Sequence, residues 1–264
     1  MNIGRMFVLL VAFAWVESLA VACVDDAAGD GADGGDTEQA QDLEDPTITV
    51  DNVAAYDGVA DAFAVEVTAA DDVGVALVEL LVDGEVAASS TEAPYTLTWD
   101  TTALAAGAIA DVAARVTDTA DKTAETAALP VVVINGGWAV ELTDGSSGEI
   151  SIPDPYTTSE EVDVKHHWLM AEGGAARVLA IAVFEPIDDL ASWAISFDLG
   201  TGYCPDSGTT IDSDSMFVEE NPVVFDSEAT YPGGGQCFFH LGPINPEEHL
   251  GETLGYEMHV YAFN

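Results

Sequence analysis

Carboxylates dominate the side chains of this sequence that could do chemistry. The 264 residues contain 48 Asp and Glu against 5 Lys and Arg, a formal net charge of −43. Nucleic acids and anionic lipid head groups are bound by clustered basic residues, so this charge excludes nucleic-acid binding. Two interpretations stay open: adaptation of the whole surface to a saline environment, and binding of Ca²⁺ by a subset of the carboxylates.

The candidate calcium ligands are three aspartates of one predicted loop: Asp206, Asp212 and Asp214. A second acidic cluster lies between two predicted strands: Glu185, Asp188 and Asp189. Ca²⁺ prefers six to eight oxygen ligands, and an acidic loop that is held in place by a disulfide at Cys204 could present several of them. The alternative is that these acids are solvated loop residues of a salt-adapted surface. We expect no cofactor, with Ca²⁺ as the possible exception.

Histidine and aromatic residues are the other candidates, and they concentrate in the second half of the chain. The five histidines are His166, His167, His240, His249 and His259. None stands in an HExxH motif, so we expect dispersed structural or surface histidines. Tyr203 and Tyr231 lie in glycine-rich predicted loops and are the candidates for stacking on sugar rings. Trp168 and Trp193 lie in apolar strand patterns, which favours packing in a core.

Motifs for nucleophilic or nucleotide chemistry are absent from the sequence. The segment Gly145-Ser146-Ser147-Gly148 is one residue short of a G-x-S-x-G nucleophile elbow. There is also no P-loop and no dinucleotide-binding fingerprint. The sequence therefore predicts a protein that is not an enzyme.

Short β-rich runs separated by turn residues make up the chain from Thr47 onward, without helical periodicity. Apolar residues alternate with polar ones around Val65, and again up to Asp83-Gly84, a hairpin signal. About seven such runs in residues 47–135 predict an antiparallel β-sandwich. Residues 136–264 follow with eight or so further runs, which predict a second, jelly-roll-like or immunoglobulin-like sandwich. The predicted fold is all-β, with two tandem sandwiches.

Several blocks of the first predicted sandwich resemble bacterial immunoglobulin-like domains, which occur in tandem on secreted and surface proteins. The blocks are Ala70-Asp71-Asp72-Val73-Gly74-Val75, Val78 to Gly84, Ala93 to Thr102, and Val116-Thr117-Asp118. The sequence departs from that pattern in the turn 118–122, which lacks the usual glycine. We expect Trp99 and Tyr95 to fill the core, and Asp118 to cap the turn after its strand. No family resemblance is assigned to residues 136–264.

The N-terminal residues 1–22 have the pattern of a signal peptide, with Arg5 followed by an apolar run too short to span a bilayer. Leu19-Ala20-Val21-Ala22-Cys23 resembles the lipobox of bacterial lipoproteins, although Ala20 stands where leucine is usual. The resemblance implies lipidation of Cys23, and Val24 after it implies the outer membrane. Ala20-Val21-Ala22 also fits ordinary signal cleavage, so plain secretion is the alternative.

Lipidation of Cys23 would leave Cys204 and Cys237 as an even pair, which predicts a disulfide in the second sandwich. Residues 23–46 contain mainly Asp, Gly, Ala and Glu, which predicts a disordered acidic linker after the lipidated cysteine. The expected function is a surface-displayed envelope lipoprotein for adhesion or ligand binding, with carbohydrate as a candidate ligand. The alternatives are an assembly component that contacts an envelope protein, and a Ca²⁺-binding accessory module.

Overall fold

The computed structural model describes residues 42–142, 145–155, 164–169, 174–201, 209–219, 221–228, 230 and 236–264. Cys23, Tyr203, Cys204, Asp206 and Tyr231 lie outside these ranges, so the predictions made for them stay predictions. Among the described residues, no helix has the length and apolarity needed to cross a membrane.

The first half of the described chain forms two sheets from nine strands. The strands are β1 Thr47–Val50, β2 Gly58–Val59, β3 Ala62–Ala70, β4 Val75–Val82, β5 Glu85–Ser90, β6 Tyr95–Asp100, β7 Ile109–Asp118, β8 Thr123–Glu125 and β9 Leu129–Val133. One sheet has the order β1-β3-β6, and the other has the order β2-β9-β7-β4-β5 with β8 paired to β7. All pairs are antiparallel except the two-residue pairing of β2 with β9.

Alternating side chains build the core between these two sheets, as the sequence pattern predicts. Val65 and Val67 of β3 are buried while Glu66 between them is exposed. Trp99 of β6 is 7% exposed and belongs to this core, and Tyr95 packs against it. With no cysteine in residues 47–135, apolar burial takes the place of a disulfide in holding the sandwich together.

In two turns of this sandwich, the residue types determine the backbone conformation. Asp83 and Gly84 have φ angles of 51° and 79°, the geometry of a two-residue type I′ hairpin turn between β4 and β5. Asp118 Oδ1 accepts hydrogen bonds from the backbone N–H groups of Ala120 and Lys122, which confirms the expected cap. Asp121, with φ 67°, occupies the left-handed position in the turn that lacks glycine. Aspartate tolerates that conformation better than most residues.

A second sandwich of nine strands follows. The strands are β10 Gly137–Ala139, β11 Ser147–Ser151, β12 Val164–Leu169, β13 Arg177–Phe184, β14 Ala194–Thr201, β15 Thr209–Phe217, β16 Val223–Ser227, β17 Gln236–Pro243 and β18 Thr253–Phe263. One sheet has the order β10-β18-β13-β16 with β11 paired to β18, and the other has the order β12-β17-β14-β15. The whole described chain is therefore all-β in tandem sandwiches, as predicted.

Strand β15 differs from the sequence-based prediction. Asp212 and Asp214 were expected in a loop, and the structure places both in β15, paired with Leu199 and Phe197 of β14. The unbroken polar run Asp212-Ser213-Asp214-Ser215 lacks the apolar alternation by which a strand is recognised in a sequence. The pairing with β14 nevertheless satisfies its backbone hydrogen bonds.

A third apolar cluster joins the two sandwiches. It contains Tyr56 and Val132 from the first sandwich and Leu179, Ile181, Tyr261 and Phe263 from the second. Strands β13 and β18 alternate between this cluster and the internal core of the second sandwich, which includes Val178, Ala180 and Val260. Their sheet is thus buried on both faces, and Gln41–Asn264 form one compact unit.

Two polar contacts fix the orientation of this interface. The Tyr261 hydroxyl donates to the backbone carbonyl of Tyr56. Arg177 Nη1 donates to the carbonyl of Ala106 at 2.6 Å, while its Nε and Nη2 each donate to Asp226 at 2.7 Å. Gly107, with φ 81°, lies against this guanidinium, and a Cβ there would come within 2.7 Å of it. The arginine therefore ties a loop of the first sandwich to β13 and β16 of the second.

Candidate functional site

The outer face of sheet β12-β17-β14-β15 carries a set of polar side chains. Asp198 of β14 lies opposite His240 of β17, and Asp198 Oδ2 is 3.1 Å from His240 Nδ1. Both side chains are partly accessible, at 27% and 17%. Ser213 and Ser215 of β15, opposite Asp198 and Ser196, are exposed on the same face. This face offers carboxylate, imidazole and hydroxyl groups, which both donate and accept hydrogen bonds.

The two candidate stacking residues belong to segments that adjoin this face in sequence. Tyr203 follows Thr201, the last residue of β14, and Tyr231 precedes Gln236, the first residue of β17. Thr201 pairs with Cys237, so the described ends of these two strands are neighbours. The stacking role of both tyrosines stays a prediction.

Most other aromatic residues of this sandwich whose side chains are described are buried, whereas Phe217 of β15 is 58% exposed. Trp193 is fully buried and stacks on His249, with ring centroids 4.2 Å apart, in keeping with the expected core position. Tyr256 lies in the internal core and Tyr261 in the interface, and burial raises the pKa of each to about 12. Neither is placed to stack on a ligand.

The three histidines whose side chains are described occupy separate surroundings. His240 pairs with Asp198, whereas buried His249 lies 2.9 Å from Glu252 through its Nδ1. His259 is 3.7 Å from Glu257 and lies beside the ring of Tyr56. His166 and His167 are successive residues of β12, and their side chains are outside the description.

Among the described residues, the members of the two acidic clusters predicted in the second sandwich do not come together as a group of three that could hold a metal ion. Asp212 Oδ2 accepts a hydrogen bond from Ser227 of β16, so this carboxylate bridges the two sheets at their open edge. Asp214, two residues on, is exposed. Asp188 and Asp189 line a shallow depression of about 300 Å³ together with Glu252. Asp206 lies outside the described residues, so the predicted loop site stays untested.

The described cysteine is unreactive in its surroundings. Cys237 is buried and carries a free thiol, and burial raises its pKa to about 11. A thiol with so high a pKa is a poor nucleophile at neutral pH. Cys204 lies outside the described residues, so its predicted disulfide with Cys237 stays a prediction.

A cluster of carboxylates that sequence reasoning missed lies in the first sandwich. Asp42, Asp71 and Asp72 each offer an oxygen within 4.8 Å of the others, the one such group of metal-ligand type in the described part of the chain. Asp42 was assigned to the disordered linker, while Asp71 and Asp72 were noted only as part of a family pattern. The sequence shows the adjacent pair Asp71-Asp72. It does not show that Asp42, which is remote along the chain, lies beside this pair.

Comparison with known proteins places the first sandwich in a family. Residues 46–110 match the family model described as Bacterial Ig domain. No curated protein sequence matches the chain.

Several solved structures are similar to this chain. Fibronectin(III)-like modules of Clostridium thermocellum CbhA share 22% identity over 33% of this chain and 96% of theirs, with a TM-score of 0.30. Bacteroides ovatus SGBP-B, in complex with a mixed-linkage heptasaccharide, shares 12% identity over 79% of this chain and 50% of its own, with a TM-score of 0.28. The structure of CBM51-2 in complex with GlcNAc and INT domains from Clostridium perfringens ZmpB shares 10% identity over 83% of this chain and 48% of its own, with a TM-score of 0.29.

The family match covers the strands from β1 into the start of β7, and the pairing of those strands is that of a two-sheet sandwich. The Asp83-Gly84 hairpin and the core residue Trp99 both fall inside the matched range. The N-terminal sandwich of this chain is a bacterial immunoglobulin-like domain.

Proposed function

We propose that this chain is a non-catalytic adhesion or ligand-binding protein, in which the immunoglobulin-like domain is a rigid spacer for the C-terminal sandwich. The observation that carries the proposal is the buried interface on the outer face of β13 and β18. An apolar interface reinforced by Tyr261 and Arg177 resists the hinge motion that a bare linker would allow. Such a spacer suits display of a binding face at a distance from its anchor.

The same interface selects which face of the second sandwich binds. The immunoglobulin-like domain covers the sheet that contains β13 and β18, so the outer face of the opposite sheet points away from it. That face carries Asp198, His240 and the serines of β15. Hydroxyl-rich ligands such as glycans are recognised by alternating donors and acceptors of this kind, together with aromatic rings that stack on the sugar. We assign the stacking to Tyr203 and Tyr231.

A glycan array probed with the purified chain tests this assignment. We expect binding to at least one glycan class. The Tyr203→Ala and Tyr231→Ala variants should bind about tenfold more weakly or worse, because a central aromatic contact is worth roughly 1.4 kcal/mol or more. Val86→Ala is the control, because it removes an exposed apolar side chain from β5 of the first sandwich, away from the proposed binding face. Equal binding by wild type and both tyrosine variants would refute the stacking role.

An assembly role is the second candidate function. Strands β15 and β16 are edge strands of the two sheets, and Phe217 and Val224 on them are 58% and 40% exposed. Exposed strand edges of this kind can pair with a strand of another protein. An array with no glycan signal, together with co-purification of an envelope protein that Val224→Lys abolishes, would favour this role.

We further propose that Cys23 is lipidated and anchors the chain in the outer membrane. The proposal is supported by the lipobox-like residues 19–23 and by the acidic linker that follows. Mass spectrometry of the chain isolated from its native host should find acyl groups on an N-terminal Cys23. The Cys23→Ser variant should be lost from the membrane fraction. An N-terminus that starts at Met1, or a soluble wild-type chain, would contradict the anchor.

A further inference from the structure

Three aspartates meet at one corner of the immunoglobulin-like domain. Asp42 precedes β1, and Asp71 and Asp72 lie in the loop between β3 and β4. One carboxylate oxygen from each lies within 4.8 Å of the others. Three like charges at this spacing repel one another, so the arrangement requires a source of positive charge.

In both Asp42 and Asp71, one carboxylate oxygen accepts hydrogen bonds and the second oxygen has no donor among the described residues. Asp71 Oδ2 accepts from the backbone N–H groups of Val73 and Gly74 at 2.9 and 2.7 Å, and these bonds lower the pKa of Asp71. Asp42, whose side chain is 6% exposed, accepts from Lys122 Nζ through Oδ1 at 3.0 Å. Asp71 Oδ1 and Asp42 Oδ2 are buried and have no hydrogen-bond donor among the described residues. Buried polar atoms nearly always have a partner, so each of these oxygens points to a missing one.

A fourth carboxylate lies beside the same loop. Asp118 is 1% exposed, and the next residue, Thr119, donates its N–H to the carbonyl of Gly74 at 3.0 Å. Asp118 Oδ1 caps the turn before β8, while Oδ2 is also buried without a donor in the described structure. The corner therefore contains three buried carboxylate oxygens that lack partners.

Lys122 does not compensate this charge by itself. Its ammonium group interacts with Asp42, Asp45, Asp71 and Asp118, and the hydrogen bond that it donates to Asp42 raises the pKa of the lysine. One positive charge thus faces at least five carboxylates, counting Asp72. Its other hydrogen bond goes to the backbone carbonyl of Glu44, at 2.6 Å, so the lysine is held on the side of residues 42–45.

We propose that Asp42, Asp71 and Asp72 bind a calcium ion, with Asp118 as a further carboxylate beside it. The ligand atoms are all carboxylate oxygens, which are typical of hard divalent cations and not of zinc or copper. Calcium accepts six to eight ligands in flexible geometry, so backbone carbonyls and water can complete the shell, whereas magnesium demands a stricter octahedron. The ion would occupy the side of Asp42 that Lys122 leaves unpaired.

Binding at this corner would tie the start of the domain to the β3–β4 loop. Asp42 is the first residue that the structure describes and belongs to the predicted acidic linker 23–46, and Pro46 at the end of that linker is buried. The ion would fix the direction in which the linker leaves the domain. This inference stands apart from the proposed function, because it concerns the first sandwich and does not depend on what the second one binds.

The test compares calcium with sodium on the full chain after treatment with a chelator. We expect a saturable rise in the melting temperature with CaCl₂ and a dissociation constant on the order of 0.1–1 mM, as in extracellular calcium modules. NaCl at equal ionic strength should give a smaller, non-saturating rise by screening alone. A sodium response equal to the calcium response would overturn the proposal.

One variant at the proposed site and two variants at other acidic positions test where the ion binds. Asp72→Asn changes an exposed side chain and should weaken calcium binding about tenfold or more while leaving the fold intact, because each carboxylate ligand sets the affinity. Glu85→Gln removes the same charge from the exposed β4–β5 hairpin and should bind calcium like the wild type. Asp214→Asn tests the calcium site predicted in the second sandwich and should also bind like the wild type. Full calcium binding by Asp72→Asn, or its loss in Asp214→Asn, would refute the site.

Discussion

Replacement of Ile181 by aspartate should separate the unfolding of the two sandwiches. Ile181 is fully buried in the apolar cluster that joins them, beside Leu179 and Tyr261. A carboxylate without a partner in such an interface costs about 3–5 kcal/mol. We expect Ile181→Asp to convert one calorimetric transition into two and to accelerate proteolysis near residues 134–137. The measurements are differential scanning calorimetry and limited proteolysis.

The matched control uses the same substitution on the same sheet. Val224 of β16 is 40% exposed, so Val224→Asp should change the free energy of unfolding by no more than about 0.5 kcal/mol. If Ile181→Asp melts in one transition at the wild-type temperature, the apolar cluster does not couple the two sandwiches.

Replacement of Asn135 by alanine should destabilise the immunoglobulin-like domain by about 2–4 kcal/mol. Asn135 Nδ2 donates to the carbonyl of Thr101 at 2.7 Å, and Oδ1 accepts from the Thr101 hydroxyl at 2.9 Å and from the N–H of Asp61 at 3.1 Å. Thr101 is fully buried, so the variant would remove several hydrogen bonds at a place where water cannot replace them. Urea denaturation followed by circular dichroism measures the loss.

Asn52 provides a control with similar bonds in a different environment. Its side chain bonds the carbonyl of Ala64 and the N–H of Glu66, at 2.9 and 2.8 Å, but it is exposed. Water can replace these bonds, so Asn52→Ala should cost at most about 1 kcal/mol. Equal losses for the two variants would show that burial does not set the cost of removing Asn135.

Local patterns explain what the sequence predicted correctly. The alternation around Val65 and the Asp83-Gly84 hairpin each depend on a few neighbouring residues, so the sequence is sufficient to predict them. The same holds for the cap by Asp118, whose acceptor and donors lie within four residues. Strand β15 was misplaced because its pairing with β14 outweighs the weak strand pattern of its polar sequence.

The candidate sites depend mainly on contacts between distant parts of the chain. Strand β13 is a continuous apolar run from Val178 to Phe184, and the sequence does not show that its second face is buried against Tyr56 and Val132. That contact decides which face of the second sandwich points away from the first sandwich.

By itself, the sequence determined the all-β class, the immunoglobulin-like pattern and the turns, because these features follow from side-chain alternation and from backbone preferences a few residues long. Only the tertiary structure brought Asp42 next to Asp71 and set Asp118 beside their loop. The physical reason is that strand pairing joins segments tens of residues apart, and no local pattern encodes which loops then meet at one corner.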